Sequence, residues 1–161
     1  MEKIITNLWF DTEAEEAANF YTSIFKNSSI GKISRYGKEG FGIHGKKEGT
    51  VLTIEFKLEG RTFTALNGGP VFKFTEAISL IVNCETQEEI DHYWSKLTEG
   101  GSESQCCWLK DKFGLSWQIV PSDLGKLMSS GDAGVSGRVM NALLKMKKPD
   151  IAALKQAAEN K

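Results

Sequence analysis

LWFDTEAEEAANFYTSIF, residues 8–25, lies over LIVNCETQEEIDHYWSKL, residues 80–97, at a constant offset of 72 with no gap. Leu8 meets Leu80, Glu13 meets Glu85, Glu16 meets Glu88, Tyr21 meets Tyr93 and Ser23 meets Ser95. Chance alignment at ordinary residue frequencies gives roughly one identity over such a window. The chain therefore carries one supersecondary unit twice. Two copies are too few for a solenoid, so the repeat points to a paired fold with its function in a cleft between the copies.

Each copy opens with an apolar strand, expected over residues 4–10 and 77–83. Alternation sends Leu8 and Phe10 to one face and Asn7 and Trp9 to the other, and the second copy repeats this with Leu80 and Val82 against Ser79 and Ile81. A helix follows each strand. Thr12 is the expected cap of the first, whose apolar stripe is Ala17, Phe20, Tyr21, Ile24 and Phe25. The second runs from about Thr86 to Leu97 and stops at Gly100–Gly101.

Period two then returns. Residues 30–36 and 51–66 read as strands, the latter a hairpin turning at Glu59–Gly60, with a mobile loop expected over Gly37–Gly49. In the second copy, residues 107–120 turn at Lys112–Phe113–Gly114, and the strand near 102–106 is short. The two hairpins superimpose at an offset of 54, Gly60 on Gly114 and Phe63 on Trp117. The expected class is α+β: two βαβββ modules, 1–67 and 76–121, forming paired mixed sheets around a cleft as one domain. Residues 68–75 are the linker, and 122–161 are a helical C-terminal extension of two or three helices, a cover or a dimer contact.

Charge excludes some functions. The chain has 20 basic and 21 acidic residues, scattered, with no basic stripe for nucleic acid. No apolar stretch reaches the length of a membrane span, and no signal-peptide h-region opens the chain. Three cysteines do not form a secreted disulfide framework, so a cytoplasmic protein is expected.

The duplicated unit and the closing pattern D-x-x-G-x-x-[W/I]-[Q/E]-[I/L] resemble the vicinal oxygen chelate superfamily, which includes glyoxalase I and bleomycin-resistance proteins. More closely, LWFDTEAEEAANFYTSIF, AISLIVNCETQEEIDHYW and CWLKDKFGLSWQIVP resemble its PhnB-like branch, some members of which are catalogued as 3-demethylubiquinone 3-methyltransferases. The similarity covers about residues 4–121. In metal-dependent members, four His, Glu or Gln ligands come from the opening and closing strands of both units. Carried over, those positions are Ile5, Thr64, Ala77 and Gln118. Only Gln118 is a plausible ligand, and one neutral amide does not hold a divalent ion against water. No catalytic metal and no cofactor are expected. His44 and His92 read as surface or packing residues.

What the resemblance leaves is a groove. Asn7, Trp9, Thr62, Thr64, Ser79, Ser116 and Gln118 share the ligand-side face, an aromatic wall with hydroxyls and amides that suits a small molecule. Glu55 and Glu76 stand as possible bases of unknown facing, Asp111 as a turn residue, and Cys106–Cys107 as one inward and one outward thiol. The expected function is a non-metal small-molecule-binding protein, homodimeric, with no nucleic-acid or membrane partner. The alternatives are a lyase, isomerase or dioxygenase of the superfamily, or the methyltransferase. A Rossmann-type methyl-transfer site needs a Gly-rich turn joining a parallel strand to a helix, which neither Gly40–Phe41–Gly42 nor Gly68–Gly69–Pro70 offers.

Overall fold

Alternation and helical stripes of the kind read above require a sheet with a helix on one face, and the computed structural model contains that arrangement twice. It describes residues 2–129 and 131–159. The chain divides into two compact units, 1–73 and 74–161.

In the first unit, β1 (Thr6–Phe10) leads into α1 (Ala14–Ile24), then β2 (Ser29–Arg35), α2 (Phe41–His44), β3 (Val51–Leu58) and β4 (Arg61–Asn67). The sheet order is β1-β4-β3-β2, with β1 parallel to β4 and the other pairs antiparallel. Leu58 pairs with Arg61, so Glu59–Gly60 is a two-residue hairpin turn. Both turn residues have positive φ, 46° and 77°, the twist a type I′ turn requires. α1 buries Ala14, Ala17, Ala18, Tyr21 and Ile24. Tyr21 stacks on Phe56, and Phe56 on Phe63, so the helix sits on the face that alternation assigns to it.

The cap of α1 differs from expectation. Thr12 does not cap it; the Ala14 N–H donates instead to Asn67 Oδ1 at 2.8 Å, from the end of β4. The repeat explains this. The capping residue of the second helix, Thr86, falls on Ala14, which has no side-chain oxygen. Gly37–Gly49 also differs, since it contains the single turn α2 between Gly40 and Gly45, both left-handed. His44 fastens that loop: its ring lies 4.6 Å from Tyr36, and its Nδ1 accepts from Lys46 N.

The second unit repeats the order with β5 (Ser79–Cys84), α3 (Gln87–Thr98), β6 (Ser102–Glu103), β7 (Trp108–Lys110) and β8 (Ser116–Pro121). Its sheet runs β5-β8-β7-β6, again with one parallel pair, β5 and β8. Thr86 caps α3 by accepting from Glu89 N at 3.2 Å, while Glu89 reaches back to Glu85 N.

Three helices follow: α4 (Leu124–Met128), α5 (Ala133–Leu143) and α6 (Ile151–Glu159). Val139, Leu143 and Leu154 bury against Cys107. Cys106 and Cys107 are not an alternating strand pair. Both have left-handed φ, 55° and 72°, and their N–H groups donate to Met146 O and Lys147 O. The pair is a corner on which the C-terminal helices hang. Lys148 pairs with Asp91, and Gln87 bonds Pro149 O and Ile151 N, fastening the same segment to α3.

Candidate functional site: the polar strand faces

Partners in register share a face of a sheet, so pairing decides which side chains stand opposite the helix. In the first unit, Asn7 aligns with Thr64 and Thr64 with Glu55, while Thr62 aligns with Lys57. This face thus holds Asn7, Thr62 and Thr64 together with two charges, Glu55 and Lys57, that the strand pattern alone left unassigned. Trp9 lies on it too. Its indole N–H donates to Gly69 O at 2.8 Å, and its ring meets Phe72 edge-on at 4.9 Å. A Cβ at Gly68 would lie 2.2 Å from the indole, so glycine there lets the linker cross the ring. The indole therefore anchors the linker and leaves only its remaining surface to anything else.

In the second unit, Ser79 aligns with Ser116 and Ile81 with Gln118, while Trp108 and Lys110 align with Gln118 and Ser116 from the other side. Gln118 Nε2 donates to Ser79 Oγ at 2.8 Å. Lys110 is ion-paired with Glu76, and the pairing holds the Glu76 carboxyl below its ordinary value of 4.5. Between these two pairs stands Ser116. It is 0 % exposed, and its hydroxyl makes no hydrogen bond among the described residues. A cavity of about 190 Å³ opens against it, lined also by Glu76, Trp108, Lys110, Ser102 and Ser104.

Asp111 sets the geometry of this face. Only 3 % exposed, it accepts from Phe113 N and Leu115 N on Oδ1 and from Trp117 Nε1, at 2.8 Å, on Oδ2. The carboxylate closes the turn and locks Trp117 toward α3, and period two then turns Ser116 and Gln118 the other way. Trp108 and Lys110 escaped the sequence reading, and Glu76 entered it only as a possible base of unknown facing. The turn at Lys112–Gly114 was the available signal, since it fixes Lys110 opposite Ser116.

Of the four positions singled out by the resemblance, Ile5 and Thr64 stand on the first unit and Ala77 and Gln118 on the second. Ile5 and Ala77 carry no metal-binding atom, Thr64 carries a hydroxyl, and Gln118 donates through Nε2 to Ser79 and keeps its Oε1. Among the described residues, no three His, Cys, Asp or Glu side chains cluster as ligands would. Cys84 and Cys107 are buried, which pushes each thiol up to about 12, far from a nucleophile at neutral pH.

Comparison with known proteins agrees with this architecture. The family model described as 3-demethylubiquinone-9 3-methyltransferase matches residues 2–120. The chain is similar to the PhnB protein of Bacillus cereus, at 42% identity and a TM-score of 0.66 over 74% of this chain and 99% of that one. It is also similar in fold to protein PA1353 of Pseudomonas aeruginosa, at 16% identity and a TM-score of 0.58 over 75% and 98% of the two chains. A glyoxylase/bleomycin resistance/dioxygenase domain from Frankia matches at 14% identity and a TM-score of 0.48 over 74% and 90%. No curated protein matches.

Proposed function

The chain belongs to the family described as 3-demethylubiquinone-9 3-methyltransferase, the PhnB-like branch of the vicinal oxygen chelate superfamily, and on that premise we propose that it binds a small molecule without a catalytic metal. The observation that carries the proposal is the Ser116 hydroxyl, buried, without a partner and at the edge of a cavity. Leaving such a group unsatisfied costs about 1–3 kcal/mol, and a bound hydroxyl or carbonyl removes that cost once the side chains covering Ser116 move aside. Lys110, Ser102 and Ser104 offer polar contacts on the cavity wall and Trp108 supplies apolar surface, with the Ser79–Gln118 pair on the same strand face beside it. The first unit carries a polar face of its own, Asn7, Thr62 and Thr64, with Trp9 and Phe72 as an aromatic wall.

Divalent metal has no place in this reading, because Gln118 alone among the inherited positions is a plausible ligand and one neutral amide does not hold such an ion against water. Three free cysteines support a cytoplasmic setting. Exposed Ile4 and Ile5 beside β1, with Ile78 and Ile81 at β5, support a homodimer that covers apolar edges. Light scattering after size exclusion gives twice the chain mass if that is right, and a monomer at all concentrations if it is wrong.

The test is a thermal-shift series with divalent ions and with small hydroxylated or carbonyl metabolites. A ligand at a hundred times its dissociation constant adds about 2.7 kcal/mol, which is readily visible. The expected result is a shift from metabolites and none from Ni, Zn, Mn or Fe ions. Ser116→Ala then abolishes the shift while raising the stability of the ligand-free protein by about 1 kcal/mol, because an orphaned hydroxyl has gone. Destabilisation instead would show that the hydroxyl has a structural partner and would remove the support for the proposal. The methyl transfer in the family's description is checked by calorimetry with S-adenosylmethionine. No saturable binding is expected: α2 follows an antiparallel edge strand, and Gly68–Gly69 runs into an extended linker.

A further inference from the structure

A larger cavity, about 400 Å³, lies in the first unit where β1 turns into α1, beside the segment 45–50. It shares no residue with the polar strand face of that unit. Its polar wall is made by Arg35 at the end of β2, by Lys46, Lys47 and Thr50, and by Thr12 with one acid, Glu15.

The three cations are not equivalent. Lys46 is engaged: Nζ donates to Asp11 O at 3.2 Å and stands 3.6 Å from Asp11 Oδ1, which pins the loop to the β1–α1 corner. Arg35 spends one N–H on Gly49 O at 3.0 Å and has no carboxylate partner among the described residues. Lys47 has none either. Two uncompensated cations thus face one concave space against a single acid, and concave low-dielectric walls concentrate the resulting positive potential. Four guanidinium N–H groups of Arg35 remain, in the planar fork that fits an oxyanion through two parallel hydrogen bonds. The Thr12 hydroxyl adds a neutral donor, while the Thr50 hydroxyl already donates to Lys47 O at 2.8 Å.

From this geometry we infer that the cavity is an oxyanion site for a phosphate monoester. Arg35 grips two phosphate oxygens, Lys47 neutralises charge, and Lys46 keeps the loop in place. The volume exceeds that of a bare phosphate and holds the body of a small phosphorylated metabolite. Glu15 weakens the grip by repulsion. The site is independent of the strand-face proposal and stands or falls without it.

The experiment is calorimetry of the full chain with inorganic phosphate, sulfate and acetate, each at constant ionic strength made up with potassium chloride. Saturable phosphate binding, tighter than acetate, is expected. Lys47→Met removes an exposed charge without touching a packed group and weakens phosphate at least fivefold. Arg35→Lys keeps the charge but loses the fork, with a similar loss. Glu15→Gln tightens binding, and Lys96→Met on α3 leaves it unchanged. Absence of saturable binding overturns the site, and so does an equal loss in Lys96→Met. Acetate binding as tightly as phosphate overturns the phosphate assignment. Unchanged binding in both Lys47→Met and Glu15→Gln overturns the assignment of the cavity.

Discussion

Asp111 is the side chain whose removal would be felt furthest. It satisfies two backbone N–H groups and one indole N–H while itself nearly inaccessible. Asp111→Ala leaves those donors without a partner, and hydrogen bonds to a charged group contribute about 1.5–3 kcal/mol each. A loss of about 4 kcal/mol in urea-midpoint analysis is expected, with Asp111→Asn at less than half of that because one carbonyl oxygen remains. Ligand response should fall with it, since Ser116 and Gln118 are aimed by the same turn. The thiols make a second residue-level prediction. Burial raises Cys84 and Cys107 from 9.0 to about 12, so the folded state disfavours their thiolates while the unfolded chain ionises near 9.0. Their contribution to stability is complete below pH 9.0 and is lost as pH rises toward 12. Alkylation with iodoacetamide at pH 8 should leave both unmodified in native protein and label both in urea; labelling of native Cys84 would show that its site opens readily.

At the scale of elements, the repeat itself was plain from sequence. Two units of βαβββ, both hairpin turns, the short β6 and the faces of β1, β4, β5 and β8 follow from period two and from the fixed offsets. Legibility stopped where a contact crosses elements. Thr12 looked like a cap because it precedes an acidic first turn, but the oxygen that caps α1 comes from Asn67, 53 residues away. Cys106–Cys107 looked like two alternating strand positions, because no local rule announces left-handed backbone at two cysteines. Alternation places Trp9 on the face opposite the helix, whereas its bond to Gly69 was not legible, since the linker offered no pattern to orient it. The same distinction yields a comparison of caps. Thr86→Ala removes an exposed local cap and should cost about 1 kcal/mol. Asn67→Ala also frees the Val51 carbonyl, in a site 7 % exposed, and should cost about 2–3 kcal/mol. Equal losses in chemical denaturation would mean that the Asn67 bridge is replaced by water.

For the whole molecule, the C-terminal helices belong to the second unit's stability rather than decorating it. Val139, Leu143 and Leu154 are buried around Cys107, each contributing roughly 1.5–3 kcal/mol. Deleting residues 122–161 therefore removes an amount comparable with the 5–15 kcal/mol that holds a typical domain together. The shortened chain should lose its cooperative melt for residues 74–121, followed by NMR peak dispersion; a melt within a few degrees of the full chain would refute this. The capping difference between the units has a consequence in time as well. The position equivalent to Asn67 in the second repeat is Pro121, which offers no amide, and there Thr86 closes the helix from within its own segment. α3 thus has its start signal the moment it is synthesised, whereas α1 must wait until the chain has reached β4. The duplicated halves should consequently assemble by different routes, one helix-first and one sheet-first. Pulse-labelling of amides during refolding would reveal protection in α3 before α1, and the reverse order would contradict it.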